Sequence, residues 1–164
     1  MNYLVEGVST SGKTSVCHEL RRRGFHAVNG DTDLAYQGDP VTGEPWAGEP
    51  SHRTHVWDLD AVRRLVADDT EPVTFLCGGS RNHARFVGLL DGVFVLEVDA
   101  ATLHERLDAR PADEFGAQPE ERALVEHLHR TGEDVPTGVR IDATAPLDEV
   151  VDTILGHVSR ESRR

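Results

Sequence analysis

The residues with the clearest chemical pattern lie near the start of the chain, in the stretch Gly7-Val8-Ser9-Thr10-Ser11-Gly12-Lys13-Thr14. They fit the phosphate-binding pattern Gly-x4-Gly-Lys-[Ser/Thr] at every specified position. Gly7 and Gly12 allow the backbone to aim several N–H groups at one anion, beside the positive end of the following helix. Lys13 adds a mobile charge, and the Thr14 hydroxyl is a suitable ligand for Mg²⁺. The pattern predicts a nucleotide-binding site made of Gly7, Ser9, Thr10, Ser11, Gly12, Lys13, Thr14 and Ser15.

The use of lysine supports this interpretation. Of the 17 basic side chains, 16 are arginine, and Lys13 is the only lysine in the chain. A compact, flexible ammonium group fits between phosphates where a planar guanidinium does not. The alternative is an ordinary Gly/Ser turn ahead of a helix.

Two carboxylates follow the second predicted strand, in the sequence Gly30-Asp31-Thr32-Asp33. Ligands of open α/β sheets gather beyond the carboxyl ends of the strands, which is where this sequence is expected. Phosphoryl transfer to a hydroxyl needs a carboxylate to orient or deprotonate the acceptor, and often a second one near the metal's water shell. We therefore expect Asp31 and Asp33 at the reaction centre; the alternative is that they cap the next turn.

The segment 34–57 is too rich in glycine and proline for a long helix and too long for a simple connection. We interpret it as the acceptor-binding region. Trp46 either stacks on a ring of the acceptor or anchors the loop to the core, and Arg53 is suited to an anionic acceptor. His52 and His55 lie three residues apart, but no third metal ligand with suitable spacing is evident.

Glycine and arginine residues mark two further segments. Gly78 and Gly79 end a buried-looking strand and permit close backbone approach by a ligand, and Phe86, Leu89 and Leu90 then indicate a helix. Arg106 and Arg110 lie four residues apart, so they project from the same side of a helix and can grip phosphates. They can instead pair with Asp108, Asp113 or Glu114. Residues 110–120 are predicted to form a lid.

The elements that must position these residues alternate along the chain. Apolar runs predict five strands at residues 2–6, 25–29, 73–77, 93–98 and 138–142, and helical spacing predicts helices between and after them, including 58–68 and 119–132. Such alternation indicates an α/β fold with a parallel sheet, and a length of 164 residues predicts one domain, 1–164.

Composition limits the classes of partner. The net charge of −12 is spread along the chain, which argues against nucleic acid or an anionic membrane as partner. Cys17 and Cys77 are isolated and form neither a disulfide framework nor a zinc motif. Neither a signal sequence nor a membrane-spanning run is readable, so we predict a cytoplasmic protein.

With these features in place, the chain resembles the small P-loop kinases of the shikimate, gluconate and nucleoside or nucleotide kinase group. The resemblance is carried by residues 7–14, 31–33, 78–79, 105–110 and 142–146. It implies a three-layer P-loop NTPase fold with a five-stranded parallel sheet of order 2-3-1-4-5 and helices on both faces.

The same resemblance implies roles for individual residues. Thr14 and Asp31 would serve Mg²⁺, Asp33 and Arg53 would meet the acceptor, and Arg110 would reach the transferring phosphates. Arg106, Thr144 and Pro146 would border the adenine. In addition, Ser80 interrupts the glycine triplet of the shikimate kinases.

The predicted function is that of an ATP-dependent small-molecule kinase that transfers the γ-phosphoryl group to a hydroxyl of a metabolite, nucleoside or antibiotic, as a monomer or homodimer. Two alternatives stay open: a nucleoside monophosphate kinase, and an ATP-binding regulator or slow NTPase. The predicted catalytic residues are Lys13, Asp33 and Arg110. The predicted acceptor-binding residues are Asp31, Asp33, Trp46, Arg53, Gly78 and Gly79.

Overall fold

The computed structural model describes residues 1–162, so that residues 163 and 164 of the predicted domain lie outside the description. Strands and helices alternate along the described chain as β1 (Asn2–Glu6), α1 (Lys13–Arg22), β2 (His26–Asn29), α2 (Gly30–Asp33), β3 (Ala35–Gln37), β4 (His55–Trp57), α3 (Leu59–Ala67), β5 (Thr74–Cys77), β6 (Gly92–Glu97), α4 (Ala100–Asp108), α5 (Pro119–Thr131), β7 (Val139–Asp142) and α6 (Leu147–Glu161). Short 3₁₀ helices occur at His52–Thr54, His83–Arg85 and Val87–Leu89.

The central sheet has five parallel strands in the order β2-β5-β1-β6-β7. Counted within this sheet alone, the order along the chain is 2-3-1-4-5. The predicted α/β class with a parallel sheet is confirmed. Strands β3 and β4 were not predicted, and they pair as a separate antiparallel hairpin inside the segment 34–57.

Both faces of the sheet are buried, as the near-continuous apolar strands require. Alternate residues of β1 point to opposite faces: Tyr3 and Val5 pack with α1, α4, α5 and α6, whereas Leu4 packs with α3 and Trp57. The sheet is therefore the middle of three layers, and the carboxyl ends of its strands meet along one edge.

Local signals fix most of the helix ends. The side chain of Asp58 accepts hydrogen bonds from the first-turn N–H groups of α3, and that of Asp99 does the same for α4. Helix α5 begins at Pro119 and ends at Gly132, whose φ of 68° gives a left-handed cap. The helix predicted from Phe86, Leu89 and Leu90 is wrong, because this segment forms two 3₁₀ helices.

In the described part of the chain, no helix combines the length and the apolar character needed to cross a membrane.

Candidate active site

The loop between β1 and α1 has the backbone shape that the phosphate-binding pattern predicts. Gly7 has a φ of 156°, and a Cβ atom there would lie 2.5 Å from Ser11 Oγ and 2.7 Å from Leu96 O. Only glycine fits in this position. Gly12, with a φ of 103°, caps α1 without a side chain, so the first-turn N–H groups of the helix point into the loop without a capping partner.

Lys13 closes the loop. Its side chain is half-buried at the base of the cavity described below, and Nζ donates to the carbonyls of Gly7 (2.6 Å) and Val8 (3.1 Å). Burial lowers the pKa of Lys13, against the opposing charges of Glu6 and Asp31. In this position the ammonium group holds the loop in shape and faces the space above it.

A cavity of about 1020 Å³ opens over this loop. Its walls come from the loop, from the end of β5, from the segment around His52, and from α5 with the chain before it. Many of the predicted site residues line the cavity: Gly7, Ser9, Thr10, Gly12, Lys13, Thr14, Ser15, Asp31, Gly79, Arg106 and Arg110. Ser11 is buried and lines a smaller neighbouring cavity of about 290 Å³.

The structure places Asp33 away from the cavity, which corrects the prediction that it faces the acceptor. Its carboxylate lies 3.5 Å from Nη2 of Arg21 and is half-exposed. Asp31 and Asp33 belong to one helical turn, α2, where residues i and i+2 point in nearly opposite directions, about 200° apart. Because Asp31 faces the cavity, Asp33 faces solvent.

Five other predicted residues also lie outside the two cavities, and Gly78, described below, is one of them. Trp46 is 49% exposed, and Arg53 is exposed as well. Trp57 takes the buried position in the hairpin region and stacks on Phe86. Near the smaller cavity, Ala143 and Ala145 form the lining in place of Thr144 and Pro146.

Gly78 and Gly79 make room for carboxylates. A Cβ atom on Gly78, whose φ is 144°, would lie 2.7 Å from Asp31 Oδ1, and one on Gly79 would lie 2.8 Å from Glu6 Oε1. The N–H of Gly79 also donates to Asp31 Oδ1 at 3.0 Å. Of the two, Gly79 lines the cavity directly, whereas Gly78 supports Asp31 from behind.

Glu6 is a site residue that the sequence analysis missed. It is 2% exposed and lines the cavity at the carboxyl end of the central strand β1. The N–H of Gly7 donates to its Oε1 at 3.1 Å, while Oε2 has no partner among the described residues. Burial raises the pKa of Glu6 to about 7, although Lys13, the Gly7 N–H and Arg81 act in the opposite direction. Its position before Gly7 at a strand end was the available signal.

Asp31 is held in a different electrostatic environment. Its Oδ1 lies 3.1 Å from Nε2 of His55. His55 also lines the cavity, so it supports Asp31 from within the site. Burial favours a higher pKa, but the His55 hydrogen bond, the charge of Lys13 and the Gly79 N–H outweigh it and lower the pKa of Asp31. The site thus contains one carboxylate that ionises near neutrality and one that stays ionised.

A second ionic cluster lines the cavity. Nη1 of Arg81 lies 2.9 Å from Oδ2 of Asp134, and Nε2 of His52 lies 3.7 Å from the same carboxylate oxygen. His52 also stacks on Phe115 with a centroid distance of 5.8 Å. Burial and the nearby Arg81 lower the pKa of His52 to about 4, so this imidazole is neutral at pH 7.

The two arginines of the predicted lid approach make different contacts. Arg106 donates to the carbonyls of Thr10 (3.1 Å) and Ala143 (2.8 Å), so it joins the phosphate-binding loop to the segment after β7. Arg110 donates to Phe115 O, and its Nε lies 3.8 Å from Glu114. Arg110 therefore makes the local ion pair that the sequence offered as the alternative to a phosphate contact.

The residues present fit a bound Mg²⁺. Thr14 and Asp31 both line the cavity, and a hydroxyl with a carboxylate is a donor set that Mg²⁺ uses together with water and substrate phosphates. Among the described residues, no group of three His, Cys, Asp or Glu side chains forms a metal cage.

Comparison with known proteins agrees with this architecture. The profile of a family described as AAA domain matches residues 4–127, which include the phosphate-binding loop, both cavity carboxylates and the lid segment. The chain belongs to this AAA domain family. No curated protein sequence gives a significant match.

Solved structures similar to this AAA domain protein include several kinases. Shikimate kinase from Aquifex aeolicus is 18% identical, with 99% of this chain and 98% of that chain covered and a TM-score of 0.61. A gluconokinase from Sinorhizobium meliloti is 20% identical (99% and 93% covered, TM-score 0.59), and deoxyadenosine kinase from M. mycoides with bound dATP is 14% identical (97% and 100%, TM-score 0.51). The chain has the fold of the small P-loop kinases.

Proposed function

We propose that the protein is an ATP-dependent kinase that transfers the γ-phosphoryl group to a hydroxyl of a small molecule. One observation carries the proposal: the phosphate-binding loop and the carboxylates of Glu6 and Asp31 line the same cavity. A site that only binds nucleotide needs the loop, whereas transfer to a hydroxyl also needs a carboxylate beside the transferring group. The kinase names of the structural neighbours support the proposal.

Glu6 is the proposed general base. A carboxylate with a pKa of about 7 accepts a proton near physiological pH. Its buried Oε2, which has no hydrogen-bond partner among the described residues, can receive the hydroxyl hydrogen. The acceptor oxygen then bonds to the γ-phosphorus as the bond to the β–γ bridging oxygen breaks, and ADP leaves. Lys13 and Arg110 stabilise the charge on the transferring group.

Asp31 is the proposed partner of Mg²⁺, together with Thr14. When bound, the ion neutralises charge on the nucleotide phosphates. His55 and the Gly79 N–H keep the Asp31 carboxylate ionised and oriented. The segments 34–57 and 110–120 are proposed as the acceptor-binding region and the lid, since parts of both line the cavity. The buried, unpaired Cys17 and Cys77 fit action in the cytoplasm.

A labelled-ATP screen of hydroxylated metabolites, nucleosides and antibiotics tests the proposal. We expect transfer to at least one acceptor, and we expect Glu6→Gln to lower kcat by at least about a hundredfold while nucleotide still binds. Asp33→Asn is the matched control, since this carboxylate faces Arg21, and its rate should stay within about twofold of the parent. Nucleotide binding with hydrolysis only, for every compound, would instead indicate an NTPase or a regulator. A loss of rate confined to Asp33→Asn would restore Asp33 as the base.

A further inference from the structure

We propose that Asp134 determines acceptor specificity by occupying Arg81, so that the site selects hydroxylated molecules without an anionic group. This inference deepens the proposed function and rests on it for the identity of the cavity as an acceptor site. It concerns the wall formed by the end of β5, the 3₁₀ helix His52–Thr54 and the turn after α5.

Arg81 is the cation that an anionic acceptor would need. Of the other described cations on the cavity wall, Lys13 bonds the phosphate-binding loop, Arg106 bonds that loop and the segment after β7, and Arg110 bonds the lid. The Arg81 side chain is 10% exposed, and its backbone N–H donates to His55 O at 2.9 Å. It is therefore held in place near the carboxyl end of β5.

The carboxylate of Asp134 already neutralises that cation. Its Oδ2 lies 2.9 Å from Nη1, yet Nε and Nη1 of Arg81 make no hydrogen bond of ordinary geometry with the described residues. The contact is thus an ion pair that leaves guanidinium donors unused. A planar anion could satisfy those donors in a fork geometry, but only after displacing Asp134.

The backbone directs Asp134 into the cavity. Gly132 and Asp134 both have left-handed φ values, 68° and 65°, so the chain reverses after α5. Aspartate tolerates this conformation better than most residues. His52, neutral at pH 7, lies 3.7 Å from the same carboxylate and does not compete with Arg81 for its charge.

An anionic acceptor would meet an unfavourable site. Its binding would break the ion pair between Arg81 and Asp134 and add a negative charge to a cavity that already contains Glu6 and Asp31. Like charges in one cavity repel each other. A neutral polyol, or one that bears an ammonium group, leaves the pair intact and can donate to the carboxylate oxygens. We infer that the acceptor belongs to this second class.

An anion titration tests the assignment without any acceptor. Inorganic phosphate is titrated by calorimetry into the parent, Asp134→Asn, and the double variant Asp134→Asn/Arg81→Gln. The phosphate-binding loop contributes equally in all three proteins, so their differences report on Arg81. We expect Asp134→Asn to bind phosphate at least about tenfold more tightly than the parent, and the double variant to lose that gain.

Equal phosphate affinity in the parent and in Asp134→Asn would overturn the proposal, as would a gain that persists in the double variant. Asparagine also adopts the left-handed conformation, and Asp134→Gly provides a second variant that allows it. Thermal melts verify that each variant folds.

The labelled-ATP screen provides the functional arm. Every acceptor of the parent should lack an anionic group, and Asp134→Asn should gain transfer to matched hydroxy acids. Transfer by the parent to a hydroxy acid or a nucleoside monophosphate would overturn the inference while leaving the kinase proposal intact. Failure of nucleotide binding would remove the kinase proposal, and the phosphate titration would still decide whether Asp134 blocks Arg81.

Discussion

Glu6 combines two properties that oppose each other at the level of a single residue. Burial at the end of the central strand makes its charged form unfavourable, and the same burial gives it a proton affinity suited to general-base catalysis. Lys13 and the Gly7 N–H limit the penalty without removing it. Activity and stability should therefore respond to the ionisation of Glu6 in opposite directions.

The pH dependence of the rate follows from that ionisation. Since the proposed base acts as a carboxylate, kcat/KM should rise with pH by about tenfold per unit well below pH 7 and level off above about pH 7. Steady-state kinetics between pH 5 and pH 9 measure this limb. The residual activity of Glu6→Gln should not show this rise with pH. A parent kcat/KM that does not change across pH 7 would contradict the assignment of Glu6 as the base.

Stability should change in the other direction. The pKa of Glu6 is about 7 in the folded chain against an ordinary value of 4.5, so the folded state binds its proton more tightly. The contribution to stability is complete below pH 4.5 and is lost as pH rises through 7. Between pH 5 and pH 8, Glu6→Gln should gain about 2 kcal/mol in unfolding free energy relative to the parent.

Urea unfolding at the two pH values measures this difference, with Asp33→Asn as an exposed-carboxylate control. A Glu6→Gln curve that stays parallel to the parent across this range would show that Glu6 is not destabilised by its charge.

At the scale of elements, the end of β5 determines where the carboxylates can lie. Gly78 and Gly79 leave the space that Asp31 and Glu6 occupy, and Trp57 of the hairpin packs behind Gly78. The hairpin β3–β4 thereby supports the site from outside the main sheet. Glycine at these two positions leaves room for the carboxylates of Asp31 and Glu6, and it also allows a ligand to approach the backbone.

Gly78→Ala should damage both stability and activity. The added Cβ would lie 2.7 Å from Asp31 Oδ1 and 2.9 Å from Trp57, at a φ of 144°. We expect a loss of about 1–3 kcal/mol in unfolding free energy and a lower kcat from the displaced carboxylate. Gly88→Ala is the matched control, because a Cβ there meets no atom within 4 Å. Equal unfolding curves for the two variants would contradict this account.

Sequence reasoning identified the elements whose signals are local. The loop 7–14, the five sheet strands, and the helices bounded by Asp58, Asp99 and Pro119 each depend on spacing or capping residues, and the structure contains them. The hairpin was missed because β3 and β4 have three residues each, in a segment rich in turn formers.

The missed site residues depend on tertiary structure. An isolated turn does not show which side faces the sheet, so Asp31 and Asp33 could not be told apart from their spacing. Glu6 joins the cavity through its burial at the end of β1, and Asp134 contacts Arg81 only in the folded chain. For Glu6 the only local signal is its place before Gly7 at a strand end, and the contact between Asp134 and Arg81 has none.

At the scale of the whole molecule, the first strand and the last helix are joined directly. The Tyr3 hydroxyl donates to Oε2 of Glu161 at 2.7 Å, across 158 positions of sequence. Burial, together with Glu161, raises the pKa of Tyr3. This bond ties the strand that leads into Glu6 and the phosphate-binding loop to the outer helical layer.

Tyr3→Phe should separate stability from nucleotide binding. The lost hydrogen bond should lower the unfolding free energy by about 1 kcal/mol, while the affinity for magnesium nucleotide stays at the parent value, since the ring itself still fills the core. Denaturant unfolding and calorimetry provide the two measurements. Glu161→Gln keeps a carbonyl acceptor and should lose less than Tyr3→Phe; a larger loss would mean that the carboxylate has another role.

The solitary Lys13 gives the protein an unusual response to covalent reagents. Because every other basic side chain is an arginine, acylation can modify just one side-chain amine, and that amine forms the base of the cavity. Its lowered pKa leaves a larger unprotonated, nucleophilic fraction than an ordinary surface amine has. The fold therefore carries a single side-chain amine for an isotopic or fluorescent reporter, located where occupancy by a substrate would shield it.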